Sequence, residues 1–292
     1  MSAIVDAVLA ATFISALYAL IAIGFTLIFG VGGILNFAHG AFITVGAFGA
    51  YLVSSGAGLD LPIVLGLLVG TAAGAVVGAA TYLGVIRHVR KRPVTVLILT
   101  FIIGFFIMYS LRIFAREVMG TNPLAIPVPP IVGTDSFLNN IFIFVTSWLL
   151  IGALFYFVNY TRTGRAVIAV SMSDKGASLV GVDAEKINLI TWTLAGTFAG
   201  YAGVLLAGSL GGGSWLMAIE PPAPLVLSFS IVILGGLGSI KGSVIGAYII
   251  GFFETFTVSF VSSQLAGISS LALLLLFLLV KPEGLFGREA AT

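Results

Sequence analysis

Cysteine is absent from the 292-residue sequence, and charged residues make up only 8% of it. The lack of cysteine excludes disulfide bonds and thiolate metal sites. A soluble domain carries roughly a quarter charged residues, so the scarcity of charge excludes that class of protein. Hydrophobic residues account for 59% of the chain instead. We therefore expect an integral membrane protein that forms a single transmembrane domain over residues 1–292, surrounded by membrane lipid.

The groups that enzymes use for catalysis and nucleotide binding are also few. The two histidines, His39 and His88, lie in separate segments without a cluster of carboxylates, which favours neither a metal site nor a catalytic triad. The glycine-rich segment Gly235–Ser243 lacks the GxxxxGK[ST] spacing of a phosphate-binding loop. We expect no enzymatic activity, no catalytic residues, no cofactor, no metal ion and no nucleic-acid partner.

Long apolar runs predict an all-α, polytopic membrane protein. About 20 apolar residues cross a bilayer as a helix, and the alternating pattern of a membrane β-barrel strand is absent. We predict eight or nine transmembrane segments, of which 41–54 and the last three are candidates for broken or re-entrant helices. The segments are 7–29, 41–54, 63–86, 94–111, 140–160, 187–210, 225–237, 243–261 and 265–280.

Glycine and proline mark packing faces and connections. Four glycines in the third segment recur every four residues and favour a close helix contact over a pore lining: Gly66, Gly70, Gly74 and Gly78. Prolines keep the polar interval 112–139 partly non-helical. We expect a further bend at the GGGSW and EPPAP sequences, within residues 211–224.

Positive charge gives the expected orientation. The run RHVRKR, Arg87–Arg92, has four basic residues in six, and cytoplasmic loops are enriched in lysine and arginine. If this run is cytoplasmic, eleven of the thirteen lysines and arginines lie on the same side. We therefore expect an outside N-terminus and a cytoplasmic C-terminus in a bacterial or archaeal inner membrane.

Four residues are candidates for a pathway through the membrane. Asn36, His39 and Gly40 end the glycine-rich segment GVGGILNFAHG, and Glu254 lies inside a predicted span. Ionisable residues within a membrane are functional candidates by default. Asn36 is equally suited to cap a helix starting at Phe37. The alternative for Glu254, which we favour, is a buried carboxylate that is protonated or hydrogen-bonded to a neighbouring helix.

Residues 161–186 form the longest polar-rich interval of the chain. We predict two short helices, Arg165–Met172 and Lys175–Val180, of which the first carries an apolar stripe of Ala166, Val167 and Val170. Asp174 is placed to cap the second helix, Gly181 to end it, and Asp183 to cap the following span. Such an element suits a cleft on a partner protein, or the headgroup layer of the membrane.

Four segments resemble the LivH-type permease subunits of branched-chain amino-acid ABC importers, in the same order along nearly the whole chain. They are NFAHGAFITVGAFGAYL (Asn36–Leu52), TGRAVIAVSMSDKGASLVGVD (Thr163–Asp183), ILGGLGSIKGSVIGA (Ile233–Ala247) and KPEGLFGR (Lys281–Arg288). Urea and short-amide permeases share these motifs. The resemblance implies a permease subunit that passes a branched-chain amino acid, or a related small polar solute, inward.

The resemblance also implies partners and a coupling loop. The partners are a LivM-type permease subunit, two ABC ATPase subunits and a periplasmic or lipid-anchored solute-binding protein. The glutamate-alanine-alanine loop of many other ABC permeases is not recognisable in this sequence. The loop that engages the ATPase corresponds to 163–183, and its candidate residues are Arg162, Thr163, Gly164, Arg165, Ala166, Val167, Val170, Asp174, Ala177 and Gly181.

One rival interpretation stays open on the residues alone. A stand-alone transporter or channel would use Glu254 as its coupling carboxylate and would need no ATPase partner. A membrane-embedded enzyme is disfavoured because no catalytic cluster is present in the sequence.

Overall fold

The computed structural model describes residues 3–56, 58–120, 128–133, 135–209, 223–281 and 283–286. Within these residues the protein is all-α, as predicted, and has no β-strand. A π-helical turn at Tyr82–Ile86 joins α3 to α4. The helices are α1 (Ala3–Gly32), α2 (His39–Ser54), α3 (Ile63–Thr81), α4 (Arg87–Val89), α5 (Pro93–Glu117), α6 (Ser136–Tyr160), α7 (Arg162–Met172), α8 (Asp174–Leu179), α9 (Ala184–Gly208), α10 (Ala223–Gly235), α11 (Ile240–Phe260) and α12 (Ile268–Val280).

Six described helices are long and apolar enough to cross a membrane, and three shorter apolar helices accompany them. The short ones are α2, α10 and α12, so the prediction of nine apolar segments, some of them short, is confirmed for the described residues. The run predicted at 243–261 is longer than expected, because the Ser239 side chain accepts a hydrogen bond from the Gly242 N–H and lets α11 begin at Ile240.

Two predictions concern the segments that follow the fourth span and precede the last three. The fourth predicted span, 94–111, is too short, since α5 continues to Glu117 before the chain becomes non-helical. The GGGSW sequence, residues 211–215, lies outside the described residues, as do Pro123 and Pro127.

The glycine face of α3 packs against α2 and α9, as predicted. All four glycines of the stripe are buried. A Cβ at Gly74 would lie 2.7 Å from the Gly200 Cα, and a Cβ at Gly49 would lie 3.1 Å from the Gly70 Cα. The helix backbones therefore touch directly. Such close van der Waals packing holds helices together in lipid, where apolar side chains gain nothing by leaving an apolar solvent.

Helix α1 is the centre of the fold. It packs against α6, α9, α10 and α11, and most of its side chains from Ser15 to Ile28 are fully buried. Two contacts fix α11 to it. The hydroxyls of Thr26 and Ser243 share a buried hydrogen bond of 2.5 Å, and a Cβ at Gly251 would lie 3.1 Å from the Ser15 Cα.

The bundle has two chemically different ends. We call the end that holds Gly32, α4, α7, α8 and the turn at 236–239 the basic end, and the opposite one the far end. Ten of the twelve described lysines and arginines lie at the basic end, and the other two are Arg112 and Arg116. The far end contains the α2–α3 connection and the Asn139 side chain, which donates to the Gly208 carbonyl at 3.0 Å.

The described tail residues close the basic end. Leu285 N–H donates to the Leu234 carbonyl at 2.9 Å, and Phe286 N–H donates to the Gly235 carbonyl at 3.0 Å. Gly284, with φ +79°, makes this approach possible because its Cα can face Gly236 without a side chain. The last turn of α10 is thereby bonded to the end of the chain.

Candidate functional site

Helix α2 begins halfway through the bundle. After α1 ends at the basic end, residues 34–36 run back between the helices without regular secondary structure. Phe37 N–H donates to the Thr100 hydroxyl at 3.1 Å, and a Cβ at Gly104, near the middle of α5, would lie 3.2 Å from the Ala38 Cα. From there α2 runs to the far end. Residues 33–54 are therefore one broken crossing, in which 33–38 are non-helical and α2 follows.

Helix α10 is a second half-helix that starts at the same depth. A Cβ at Gly40 would lie 2.8 Å from both the backbone N and the Cβ of Leu225, in the first turn of α10. Helix α10 then runs to the basic end, where the turn after it packs its Gly238 against Gly30 of α1. The N-termini of two half-helices thus meet inside the bundle. The N-terminus of a helix carries a partial positive charge, so this junction favours an anionic group.

Asn36 lies in the turn that leads into α2. Its Oδ1 accepts from the Ala38 N–H at 3.1 Å, and its backbone carbonyl accepts from the His39 N–H. The helix starts at His39, so the predicted start at Phe37 is wrong, and Asn36 and His39 do not share a helix face. The Asn36 Nδ2 is buried without a hydrogen-bond partner among the described residues.

His39 is fully buried and reaches into α1. Its Nε2 lies 3.0 Å from the Ile21 carbonyl. Because a carbonyl only accepts, Nε2 carries the proton, and Nδ1 is left as an acceptor without a partner among the described residues. The ring also contacts Phe25 edge to face. Gly24 leaves room for the ring, since a Cβ there would lie 2.7 Å from the His39 Cε1.

Glu254 lies away from this junction. It accepts a hydrogen bond from the Gly267 N–H at 3.3 Å and another from the Ser270 hydroxyl. Both donors belong to the first turn of α12 and its cap. Glu254 is the fifteenth of the 21 residues of α11, between the middle of the helix and its Phe260 end. The structure thus groups Asn36, His39 and Gly40 and gives Glu254 a capping position on a different helix pair.

The polar interval at 161–186 folds as two helices, as predicted. Thr161 begins α7 by accepting from the Gly164 N–H at 2.9 Å. Asp183 caps α9 through the Glu185 and Lys186 N–H groups, and Gly181 ends α8 with φ +81°, both as predicted. The prediction for Asp174 is wrong, because Ser173 caps α8 by accepting from the Gly176 N–H.

The apolar stripe of α7 faces the protein itself. Val167 and Val170 are 5% and 3% exposed and form a cluster with Val31, Ala177 and Ile187, with Ala166 partly buried beside it. The expectation that this stripe fits a cleft on a partner is therefore wrong. The large apolar side chains that α7, α8 and the following turn expose are outside this stripe. They are Ile168, Met172, Leu179 and Val180.

The remaining loop candidates divide by exposure. Arg162, Arg165, Asp174 and Gly181 are exposed, Thr163 is intermediate, and Gly164 and Ala177 are buried in the joint with α6 and in the apolar cluster. Asp174 pairs with Arg90 at 3.2 Å, and Glu185 lies 3.9 Å from Arg87. Partly exposed pairs of this kind contribute about 0–1 kcal/mol each. The Asp174 pair joins α8 to the basic run after α3, and the Glu185 pair joins the start of α9 to the same run.

Three residues of the site were not predicted from the sequence. Thr100 and Leu225 carry no local signal, since their roles come from contacts with residues more than 60 positions away. Gly24 did carry one, because an isolated glycine within an apolar helix marks a close approach. Within the described residues, no group of three His, Cys, Asp or Glu side chains could hold a metal ion.

The broken crossing at 33–54, the buried junction and the lipid-length helices define a class, the multi-pass helical membrane proteins with discontinuous helices. The family model described as "Branched-chain amino acid transport system / permease component" matches residues 7–280. The chain belongs to that family.

Curated relatives agree with this assignment. The chain is 33% identical to the high-affinity branched-chain amino acid transport system permease protein LivH of Escherichia coli K12, over 93% of this chain and 91% of the relative. It is 28% identical to the corresponding protein BraD of Pseudomonas aeruginosa, over 93% and 92%. It is 27% identical to the ribose import permease protein RbsC of Escherichia coli K12, over 81% and 73%. No solved structure matched.

Proposed function

We propose that this chain is the transmembrane permease subunit of an ATP-driven importer for branched-chain amino acids. The observation that carries the proposal is the meeting of the α2 and α10 N-termini beside Gly40. Two positive helix ends attract the carboxylate that every amino acid presents. The unpaired Nδ2 of Asn36 adds a donor beside this junction. The names of the LivH and BraD relatives support the choice of solute.

The energy comes from partners. The sequence has no phosphate-binding loop, so ATP binding and hydrolysis belong to two ABC ATPase subunits. A second permease subunit of the LivM type completes the path, and a periplasmic or lipid-anchored binding protein delivers the solute. This division of labour makes the chain a transport component and not an enzyme.

The coupling element is α7, α8 and the turn after them. Arg162, Arg165, Asp174 and Gly181 offer polar contacts to an ATPase, and Met172, Leu179 and Val180 offer apolar ones. The buried side chains of Val167, Val170 and Ala177 transmit movement of the element to Val31 at the end of α1, and Gly164 joins the element to α6. ATP-driven closure of the partners would thereby reach the helix that contacts His39.

The basic end faces the cytoplasm in this proposal. Ten described basic residues at that end satisfy the positive-inside rule. The N-terminus is then outside and the C-terminus cytoplasmic, and the coupling element stands on the side where ATP is available.

Reconstitution tests the proposal. The chain, its second permease and the ATPase subunits are placed in liposomes that enclose ATP, with binding protein and radiolabelled leucine outside. We expect leucine to accumulate only when ATP and the binding protein are both present. Accumulation of urea or acetamide but not leucine would assign the chain to the amide permeases. Uptake by the chain alone, driven by an ion gradient and indifferent to ATP, would refute the ABC mechanism.

A further inference from the structure

A cavity of about 360 Å³ opens at the basic end. It lies between the end of α1, the π-helical turn, the α7–α8 junction and the first half of α9, directly below the non-helical chain that leads to α2. Its walls include Val31, Ile34, Tyr82, Arg90, Asp174 and Trp192. The volume exceeds that of a medium-sized amino acid. None of the residues of the helix junction lines the cavity, whereas Met172 and Asp174 of the coupling element do.

One polar group of the cavity wall lacks a partner. The Tyr82 side chain is 1% exposed, and its hydroxyl makes no hydrogen bond with any described residue. Arg90 lines the same cavity, where its Nη1 lies 3.2 Å from Asp174 Oδ2 in an ion pair. Buried donors are almost always satisfied, so the unpaired Tyr82 hydroxyl points to an acceptor that binds there.

The charges of the cavity have both signs. Arg90 and Lys91 line it together with Asp174, so a carboxylate finds two cations and a neighbouring ammonium finds a carboxylate. The rest of the wall includes apolar side chains, among them Val31, Ile34 and Trp192. A small zwitterion with an apolar side chain matches all three features, whereas an inorganic anion leaves Asp174 and the apolar wall unmatched.

We propose that this cavity binds a free apolar α-amino acid on the side where the transported solute is released. The inference rests on the proposed function for the direction of transport. The carboxylate accepts from Tyr82 and Arg90, and the ammonium faces Asp174. A bound amino acid joins α8 to the basic run after α3. It therefore resists movement of the coupling element and slows import when the product has accumulated.

Preloaded proteoliposomes test the inference. The complete transporter is reconstituted into liposomes that enclose ATP and either no solute or unlabelled leucine. The initial rate of labelled leucine import is then measured with the binding protein outside. We expect internal leucine to lower the rate at least about threefold. The rate with leucine divided by the rate without it is compared between variants, so differences in basal rate cancel.

Two tyrosine variants form a matched pair. Tyr82→Phe removes the unpaired hydroxyl and no hydrogen bond within the described residues, so it should raise the internal leucine concentration needed for inhibition about tenfold. Tyr51→Phe removes the hydroxyl of another buried tyrosine, in the far half of α2. Internal leucine should inhibit this variant as strongly as it inhibits the unaltered protein. Equal inhibition of all three proteins would overturn the inference.

Ligand analogues distinguish the chemistry. Leucinamide lacks the carboxylate and 4-methylpentanoate lacks the ammonium, so each should inhibit more weakly than leucine. Inhibition by inorganic phosphate as strong as by leucine, or inhibition that disappears when phosphatidylglycerol is replaced by phosphatidylcholine, would overturn the amino-acid site in favour of an anion or lipid-headgroup site.

The two proposals fail in different ways. If import proceeds and internal leucine does not change its rate, the inhibitory site is refuted and the proposed importer function stands. If no import occurs, the cavity is tested by binding of labelled leucine to the purified chain in phosphatidylcholine nanodiscs. Binding that is absent, or equal in the Tyr82→Phe and Tyr51→Phe proteins, then overturns the site.

Discussion

Gly24 and His39 occupy a shared space, since a Cβ added to Gly24 would lie 2.7 Å from the His39 Cε1. The contact joins the C-terminal half of α1 to the first residue of α2. It therefore fixes the start of the broken helix relative to the helix at the centre of the fold, and it sets the position of the junction with α10.

The first prediction uses this contact in a double-mutant cycle. Gly24→Ala alone should destabilise the protein by about 1–3 kcal/mol through overpacking. His39→Ala removes the ring, so Gly24→Ala should cost much less in that background, with an interaction energy of about 0.5–3 kcal/mol. Thermal unfolding in detergent measures the four proteins. Additive effects of the two substitutions on the free energy of unfolding would contradict a direct contact between the two residues.

The second prediction concerns the junction of the half-helices. Gly40→Ala places a Cβ against the Leu225 backbone and should reduce ATP-dependent leucine import at least about tenfold by pushing the two N-termini apart. Gly152→Ala is the matched control, because a Cβ at this helical glycine meets nothing within 4 Å. Equal loss of import in both variants would show that the loss does not arise from the junction.

The third prediction places the ATPase contact on the exposed side of the coupling element. Leu179→Glu, at a side chain that is 87% exposed, should lower co-purification of the ATPase subunits at least about tenfold by placing a charge in an apolar contact. Leu59→Glu alters an exposed leucine at the far end and should leave co-purification unchanged. Retention of the ATPase by the Leu179 variant would contradict this assignment.

Val167→Glu should behave differently from Leu179→Glu. Val167 lies in the chain's own cluster with Val31 and Ile187, so the variant should lower the yield of folded protein before any partner is added. Size-exclusion profiles of the purified chain separate the two results.

The fourth prediction decides the role of Glu254. As a cap of α12, it needs an acceptor and not a charge, so Glu254→Gln should keep near-normal import, whereas Glu254→Ala should lose about 1 kcal/mol of stability. An ion-coupled transporter that used this carboxylate would lose import with Gln as well. Import and thermal unfolding of both variants therefore separate a structural role from a coupling role.

The fifth prediction tests the orientation, and the lack of cysteine makes it direct. Leu59→Cys and Leu179→Cys each introduce a single thiol at an exposed position, one at each end of the bundle. With intact spheroplasts and a membrane-impermeant maleimide, Cys at 59 should react at once and Cys at 179 only after lysis. The reverse pattern would place the basic end outside.

Much of the fold follows from local sequence. Runs of about 20 apolar residues predict spans because each helix must satisfy its own backbone in lipid. The four-residue glycine period predicts the α3 packing face for the same local reason. The cap of α9 was also predictable, since Asp183 directly precedes an uninterrupted helical run.

The errors and omissions arise where neighbours or distant contacts decide. Ser173 and Asp174 are both good capping residues, and the choice between them depends on where α8 begins. Val167 and Val170 form an apolar stripe whose partner is Val31, over 130 positions away. The approach of Gly40 to Leu225 spans a still longer separation, so no local pattern contains the junction of α2 and α10.

The bonds from Leu285 and Phe286 to the last turn of α10 restrict how that half-helix moves. Its Gly235 end is held from two sides, by the tail and by the close contact with Gly242 of α11. A tilt of α10 therefore pivots at this end and displaces the Leu225 end most, which is the end that meets Gly40. The segment around Leu285 and Phe286 thus sets the pivot of the half-helix whose other end meets Gly40 inside the bundle.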